Sequence, residues 1–233
     1  NNARFLAVIG PSGSGKSSVV KAGLIPQIRN GGLPNSGNWF ITETTPNIDP
    51  FSELSDALLS VAVNPVDDLE SKLRADNGIH NVVQQLLPDD DSELVLIIDQ
   101  FEELFTLVED EKERELYLDN LLQSFTTPGS RIRVIITIRA DYYDKPLQYR
   151  SFGEIFRNRM ETVLPLSREE LRESIVQPAE SVGVYFDPGL VDVIISDVDQ
   201  QPGMLPLLQY ALTELFEHRT GFSLQLDSYL NIG

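Results

Sequence analysis

Cysteine is missing altogether from this chain of 233 residues, and histidine occurs only twice, at His80 and His218. The first absence excludes disulfides and thiolate metal centres and agrees with a reducing, cytoplasmic setting. The two histidines lie far apart on helical stretches, so no cluster is available to hold zinc. No apolar run approaches the roughly 20 residues that a membrane-crossing helix needs, and no signal-peptide pattern opens the chain. A G-x-S-x-G nucleophile elbow and an Asn-x-Ser/Thr glycosylation acceptor are both lacking. Positive charge is scarce as well: 18 Lys and Arg stand against 36 Asp and Glu, a formal net charge of −18. Such a surface repels nucleic acid and anionic membranes, so neither is expected as a partner. An anionic ligand must then be held by a local positive site.

One stretch supplies such a site. Gly10-Pro11-Ser12-Gly13-Ser14-Gly15-Lys16-Ser17-Ser18 has the pattern G-x-x-x-x-G-K-S. It follows the short apolar strand Phe5-Leu6-Ala7-Val8-Ile9 and opens a helical pattern at Ser18-Val19-Val20, the order a phosphate-binding loop requires. The glycines let successive N–H groups turn inward around an anion, and the helix N-terminus adds partial positive charge. Lys16 reaches the β- and γ-phosphates of a nucleotide, and the Ser17 hydroxyl ligates Mg²⁺. No Asn-Lys-x-Asp stretch is present to read guanine, which favours adenine and hence ATP/ADP.

The rest of the chain alternates strands and helices as far as Leu166. Helix after Lys16 is expected to about Ile25, with Pro26 disfavouring helix at its predecessor and leaving room for a second short turn through Ile28. Strands are expected at Trp39–Thr44, Leu94–Asp99, Arg131–Arg139 and Thr162–Leu166. Helices are expected from Asp49-Pro50, with Phe51, Leu54, Leu58 and Leu59 on one face, then at Ile79–Leu87 and Glu109–Leu122. Alternation of this kind gives an α/β fold with a parallel sheet covered on both faces. After Ser167 only helices are expected, opened by the capping box Ser167-Arg168-Glu169-Glu170. The division is therefore a nucleotide-binding α/β domain over residues 1–166 and a helical domain over 167–233. The chain reads as a piece of a longer protein.

Ligands of open parallel sheets bind beyond the carboxyl ends of the strands. The phosphate loop, Asp99 and Arg139 all fall at such ends and should converge. Asp99 is placed to hold a water on Mg²⁺ beside Ser17. Glu102 reads equally as a solvated first helical turn and as the carboxylate that polarises the attacking water. For Glu103 the catalytic reading is the better one. Gln100 stands where many P-loop ATPases keep a catalytic glutamate, which suggests slow turnover. Arg139 contacts the γ-phosphate in this reading. Arg157 and Arg159 are candidates for an arginine finger, although plain surface cations explain them better.

These residues resemble those of a STAND-class P-loop NTPase, specifically the novel STAND group, which is often fused to WD-repeat domains and is related to NACHT and AAA+ ATPases. The likeness rests on the phosphate loop, on Leu96-Ile97-Ile98-Asp99-Gln100-Phe101-Glu102-Glu103-Leu104-Phe105, and on Ile138-Arg139-Ala140-Asp141-Tyr142-Tyr143. A fourth stretch, Gln201-Pro202-Gly203-Met204-Leu205-Pro206-Leu207-Leu208, is similar to the group's glycine–proline motif in the helical domain. The resemblance implies a three-layer fold with five parallel strands in the order 5-1-4-3-2. It further implies an acidic cluster of Asp99, Glu102 and Glu103, a sensor at Arg139, and contact of Pro206 with the adenine or ribose. A winged-helix domain would follow near Gly233. Such proteins act as switches: ADP holds a closed monomer, and ATP permits self-association that is coupled to signal transduction. A nucleotide-stabilised scaffold with negligible turnover is the alternative.

Overall fold

A computed structural model describes residues 3–199 and 203–232. The chain falls into two compact units. One comprises the chain through Gly10 together with Lys16–Val163; the other comprises Pro11–Gly15 and the chain from Leu164 onward.

The first unit is built on five parallel strands, β1 (Phe5–Gly10), β2 (Phe40–Thr44), β3 (Leu94–Ile98), β4 (Ile132–Arg139) and β5 (Met160–Thr162), in the order β2-β3-β4-β1-β5. That is the expected order 5-1-4-3-2 read from the other edge. Side-chain alternation along each strand divides the core in two. Phe5, Ala7 and Ile9 of β1 join Leu94, Leu96, Ile98, Val134 and Ile136 in a large cluster on one face. Leu6 and Val8 turn the other way, with Val95, Ile97 and Ile135, and meet Val20 and Ile28 from the helix after the phosphate loop. Both faces are thus apolar, which is why the strands read as unbroken hydrophobic runs rather than alternating ones.

That helix begins as α1 (Lys16–Ser18), widens into a π-helical stretch over Val19–Leu24, and continues as α2 (Ile25–Arg29). The expected break before Pro26 does not occur, and the further turn allowed through Ile28 is the continuation of the helix to Arg29. Ile25 donates its N–H to Val20 O, the wider π-type spacing, and remains helical, so Pro26 enters the first turn of α2, where a missing donor costs nothing. On the opposite face lie α3 (Pro50–Leu59), α4 (Leu69–Leu73), α5 (Gly78–Leu86), α6 (Glu103–Thr106), α7 (Glu111–Thr126), α8 (Asp144–Leu147) and α9 (Arg150–Asn158). Asp49 caps α3 by accepting the N–H of Ser52. Phe51, Leu54 and Leu58 are fully buried, but Leu59 is half exposed because it lies off the stripe that they form. Helix α7 starts and ends later than Glu109–Leu122, with Asp110 as its cap and Phe125 in its last buried turn. The fifth strand is also displaced from Thr162–Leu166. Its partner β1 ends at Gly10, so the ladder stops once Val163 has donated to Ile9 O, and residues 164–166 have no strand to pair with.

In the second unit, α10 (Arg168–Ser181) opens on the expected capping box: Glu170 N–H donates to Ser167 Oγ, and Ser167 N–H donates to Glu170 Oε2. It is followed by β6 (Tyr185–Phe186), α11 (Leu190–Asp199), α12 (Leu205–Glu217), β7 (Ser223–Leu224) and α13 (Leu226–Ile232). The expectation of helices only is corrected here, since β6 and β7 pair in parallel. Two residues per strand are too few to show a period of two. Leu171, Ile175, Leu190, Ile194, Ile195 and Leu215 form the core of this unit.

The tightest corner of the first unit joins α4 to α5. Gly78 donates its N–H to the buried Asn120 Oδ1 at 2.7 Å, and a Cβ there would lie 2.3 Å from Lys72 O and 2.4 Å from Leu73 O. Gly78→Ala is therefore expected to cost about 1–3 kcal/mol, as overpacking against backbone does. Thermal denaturation should show a midpoint lower by roughly 2–10 °C for a chain of this size; an unchanged midpoint would show that the corner has room to give.

Candidate functional site

The parallel register brings the strand tips together. Gly10, the last residue of β1, is paired with Arg139, the last of β4, and Thr44 with Ile98, immediately before Asp99. Lys16 Nζ donates to Gly10 O at 3.0 Å. Burial pushes its ammonium below the ordinary lysine value, while the negative charge of Glu102 works in the opposite direction.

Asp99 is the most heavily engaged group at this edge. Its Oδ1 accepts from Ser17 Oγ at 2.8 Å, from Thr137 Oγ1 at 2.5 Å and from the Gln100 N–H at 3.2 Å. Its Oδ2 lies 3.2 Å from Lys21 Nζ. Burial alone would raise its pKa, but the hydrogen bonds from Thr137, Ser17 and Lys21 outweigh burial and hold it below the ordinary aspartate value. Thr137 and Lys21 were not singled out from the sequence. Thr137 is a hydroxyl set in the otherwise apolar run Ile135-Ile136-Thr137-Ile138, and Lys21 stands four residues after Ser17 on the same helix; each of those is a readable signal. Gln100 follows with φ 52°, a left-handed conformation held by donation of its N–H to both Asp99 Oδ1 and Thr137 Oγ1.

The two glutamates part company. Glu102 is buried, and its Oε2 accepts the backbone N–H of Arg139 at 3.2 Å. Glu103 turns to the β2–α3 connection, where Oε2 accepts the N–H of Asn47 at 3.2 Å. Of the pair, Glu102 is therefore the one whose charge acts on Lys16. Arg139 holds Asp141 through two hydrogen bonds, at 3.0 and 2.6 Å, and its guanidinium sits 5.5 Å from the centre of the Tyr142 ring. Arg157 and Arg159 are exposed at the end of α9.

Within the second unit, Pro11–Gly15 forms a turn in which the Ser14 N–H donates to Pro11 O at 3.2 Å. Gly13 and Gly15 have φ of 67° and 87°. A Cβ on Gly13 would come within 2.6 Å of Gly203 O, so only glycine fits there. Ser12 is exposed and Ser18 likewise, whereas Ser14 is buried with its hydroxyl unpartnered among the described residues. Pro206 lies exposed in the first turn of α12. Gln201 and Pro202 of the same stretch lie outside the described residues.

These groups suit a polyphosphate with Mg²⁺. Ser17 Oγ and Asp99 offer only oxygen donors, the kind a hard ion that retains several waters requires. Among the described residues no group of three His, Cys, Asp or Glu forms a self-sufficient metal cage, so the remaining ligands would come from phosphate and water. No helix among the described residues is long and apolar enough to cross a membrane.

Glu102 gives the site a testable pH signature. Burial raises its carboxyl above the ordinary value near 4.5, against the pull of its backbone hydrogen bonds and of Lys16. A raised folded-state value means that folding takes up a proton. That contribution is fully present below the unfolded value and is lost as pH rises through the folded one. Glu102→Gln, which retains an acceptor for the Arg139 N–H, should therefore melt above the wild type at pH 7, with the margin shrinking towards pH 5. A margin that is constant across this range would contradict the burial effect.

Comparison with known proteins agrees with this geometry. The family model for Novel STAND NTPase 1 matches residues 1–233. No curated protein matches the chain. Among solved structures, ORC2 of Aeropyrum pernix in ADPNP–ADP complexes is similar with a TM-score of 0.63 at 15% identity, over 98% of this chain and 61% of that one. Drosophila ORC bound to DNA gives 0.62 at 16%, over 98% and 54%. The closed state of Hsp104 with ATPγS and casein gives 0.58 at 14%, over 100% and 39%. The chain thus spans less than two thirds of each, and identities this low speak for a shared α/β fold alone. With its phosphate loop, its strand-tip aspartate and a family match from end to end, the chain belongs to the novel STAND NTPases.

Proposed function

We propose that this chain is the ATP- and ADP-binding, Mg²⁺-dependent NTPase switch of a signalling protein, in which hydrolysis governs conformational change and self-association. The observation that carries the reading is the hydrogen bond of 2.8 Å between Ser17 and Asp99, next in sequence to a buried Lys16. It brings together, from residues 82 apart, the two groups that this reading assigns to the cation. In this reading Lys16 holds the β- and γ-phosphates as a point charge. Ser17 and Asp99 hold Mg²⁺, which when bound neutralises charge on the phosphates. Glu102 is the carboxylate placed to take a proton from the attacking water, and its raised basicity suits that task at neutral pH. Glu103, tied to Asn47, serves better to brace the β2–α3 connection. Arg139 neutralises the γ-phosphate, and Pro206 borders the base or sugar.

The division into a nucleotide domain over 1–166 and a helical domain over 167–233 belongs to the same proposal. So do self-association in the ATP state, with Arg157 and Arg159 as candidate donors to a neighbouring copy, and a WD-repeat sensor elsewhere in the parent protein. The DNA of the ORC complexes is not carried over, because a net charge of −18 opposes binding to a phosphate backbone. A second reading, a nucleotide-held scaffold with little turnover, is favoured by Gln100 at the position after Asp99. Phosphate release by the wild type and by Glu102→Gln separates the two readings, since a scaffold would release none in either case.

Ligand-linked stability gives the primary test. ADP with Mg²⁺ at about 100 times its dissociation constant should stabilise the protein by about 2.7 kcal/mol, raising the midpoint by roughly 5–10 °C. Lys16→Ala should abolish most of that rise. An equal rise in the variant would rule out the phosphate loop as the binding element.

A further inference from the structure

Lys21 bridges two carboxylates at the edge of the site. Its Nζ lies 3.2 Å from Asp99 Oδ2 and also pairs with Glu43 Oε1 on β2. Ser17 and Lys21, four residues apart on one helix face, thus take the two oxygens of the same aspartate: the hydroxyl takes Oδ1 and the ammonium takes Oδ2. Oδ1 already receives Ser17, Thr137 and Gln100. Oδ2 is therefore the oxygen through which Asp99 can address anything further, and Lys21 occupies it.

We propose that Lys21 is a positioning residue that competes with the divalent cation for Asp99, with Glu43 as the second seat onto which its ammonium withdraws. This rests on the reading of Ser17 and Asp99 as the cation-holding pair. The asymmetry of burial favours movement in that direction. The Asp99 side chain is 8% exposed, whereas those of Glu43 and Lys21 are 39% and 43% exposed. The ammonium is on the solvent side, on a flexible four-carbon stem, and a small swing keeps it paired. In the present state Lys21 neutralises a buried carboxylate that would otherwise be costly to keep ionised. A doubly charged ion arriving at Ser17 repels the ammonium and takes over that task, and Glu43 receives the displaced charge.

The two carboxylate partners of Lys21 make the proposal separable from a structural role, because removing Lys21 and removing its retreat should have opposite effects. Lys21→Met keeps the packing of the stem but removes the competitor, so the cation should bind more tightly, roughly fivefold. Glu43→Gln removes the retreat and commits Lys21 to Asp99, so the cation should bind more weakly, again by roughly fivefold. The measurement is titration of Mn²⁺ into ADP-loaded protein freed of excess nucleotide, with free Mn²⁺ read by its EPR signal.

Opposite shifts support the proposal. Unchanged affinity in both variants, or weakening in both, overturns it while leaving the cation site standing. A wild type that takes up no Mn²⁺ beyond what ADP alone binds overturns the cation site itself, and this inference with it. Should Lys21→Met fail to fold for want of a counter-charge on Asp99, Glu43→Gln at an exposed position decides alone: weaker binding supports the proposal and unchanged binding overturns it.

Discussion

Asp99 carries its negative charge where water scarcely reaches, and that is tolerable only because donors converge on it from three elements. The Ser17 hydroxyl and Lys21 ammonium come from the helix after the phosphate loop, the Thr137 hydroxyl from β4, and the Gln100 N–H from the turn that follows β3. A buried carboxylate deprived of such partners would take up a proton rather than remain charged. The same bonds fix where it points. Because Asp99 must satisfy β4 and the helix at once, it ties the helix that carries Ser17 and Lys21 to the strand tips.

The sheet makes that convergence possible. Parallel pairing of β3 with β4 and of β4 with β1 ends Ile98, Arg139 and Gly10 on one edge, while alternation within each strand turns Val95, Ile97 and Ile135 towards the helix that carries Ser17. Thr137 shares the phase of Ile135, so its hydroxyl emerges on the helix side, where Asp99 can use it. A slip of one residue in β4 would place Ile136 or Ile138 there and leave the aspartate short of a donor. Core packing and site chemistry are thus the same register, read at two heights along the strand.

How much of this was legible beforehand depended on whether a residue's role was local. The phosphate loop, the strand-end position of Asp99 and the capping box at Ser167 follow from short spacings and were readable, whereas the strand order came only from the family resemblance. Pro26 misled, because a rule about the residue before proline assumes α-helical spacing, and the π-type bond from Ile25 to Val20 relaxes it. The pair β6–β7 was invisible, since pairing between residues some 40 apart leaves no trace in two-residue strands. Between Glu102 and Glu103, adjacent and chemically alike, the sequence reading favoured Glu103 as the catalytic carboxylate, without knowledge that the chain turns helical at that residue. That turn sends one carboxylate to the Arg139 N–H and the other to Asn47. Lys21 was passed over because a lysine on a helix after a phosphate loop looks like solvent-facing charge until Glu43 and Asp99 are seen on either side of it.

The distribution of charge bears on what such a site can select. Each cation near the strand tips already has a carboxylate acting on it: Glu102 on Lys16, Asp141 on Arg139, and Asp99 with Glu43 on Lys21. On a chain with a net charge of −18 this leaves no open excess of positive charge to attract anions in general. A lone phosphate would have to displace those carboxylates one by one, with little gained at each exchange. A polyphosphate that arrives with a divalent cation is different. In the proposed function its negative charge would answer Lys16 and Arg139 while the cation would answer Asp99, so several pairs would be exchanged in one event. On the proposed function, the internal pairing of the site would disfavour simple anions and favour the metal–nucleotide complex, a selectivity that a bare cluster of lysines could not supply.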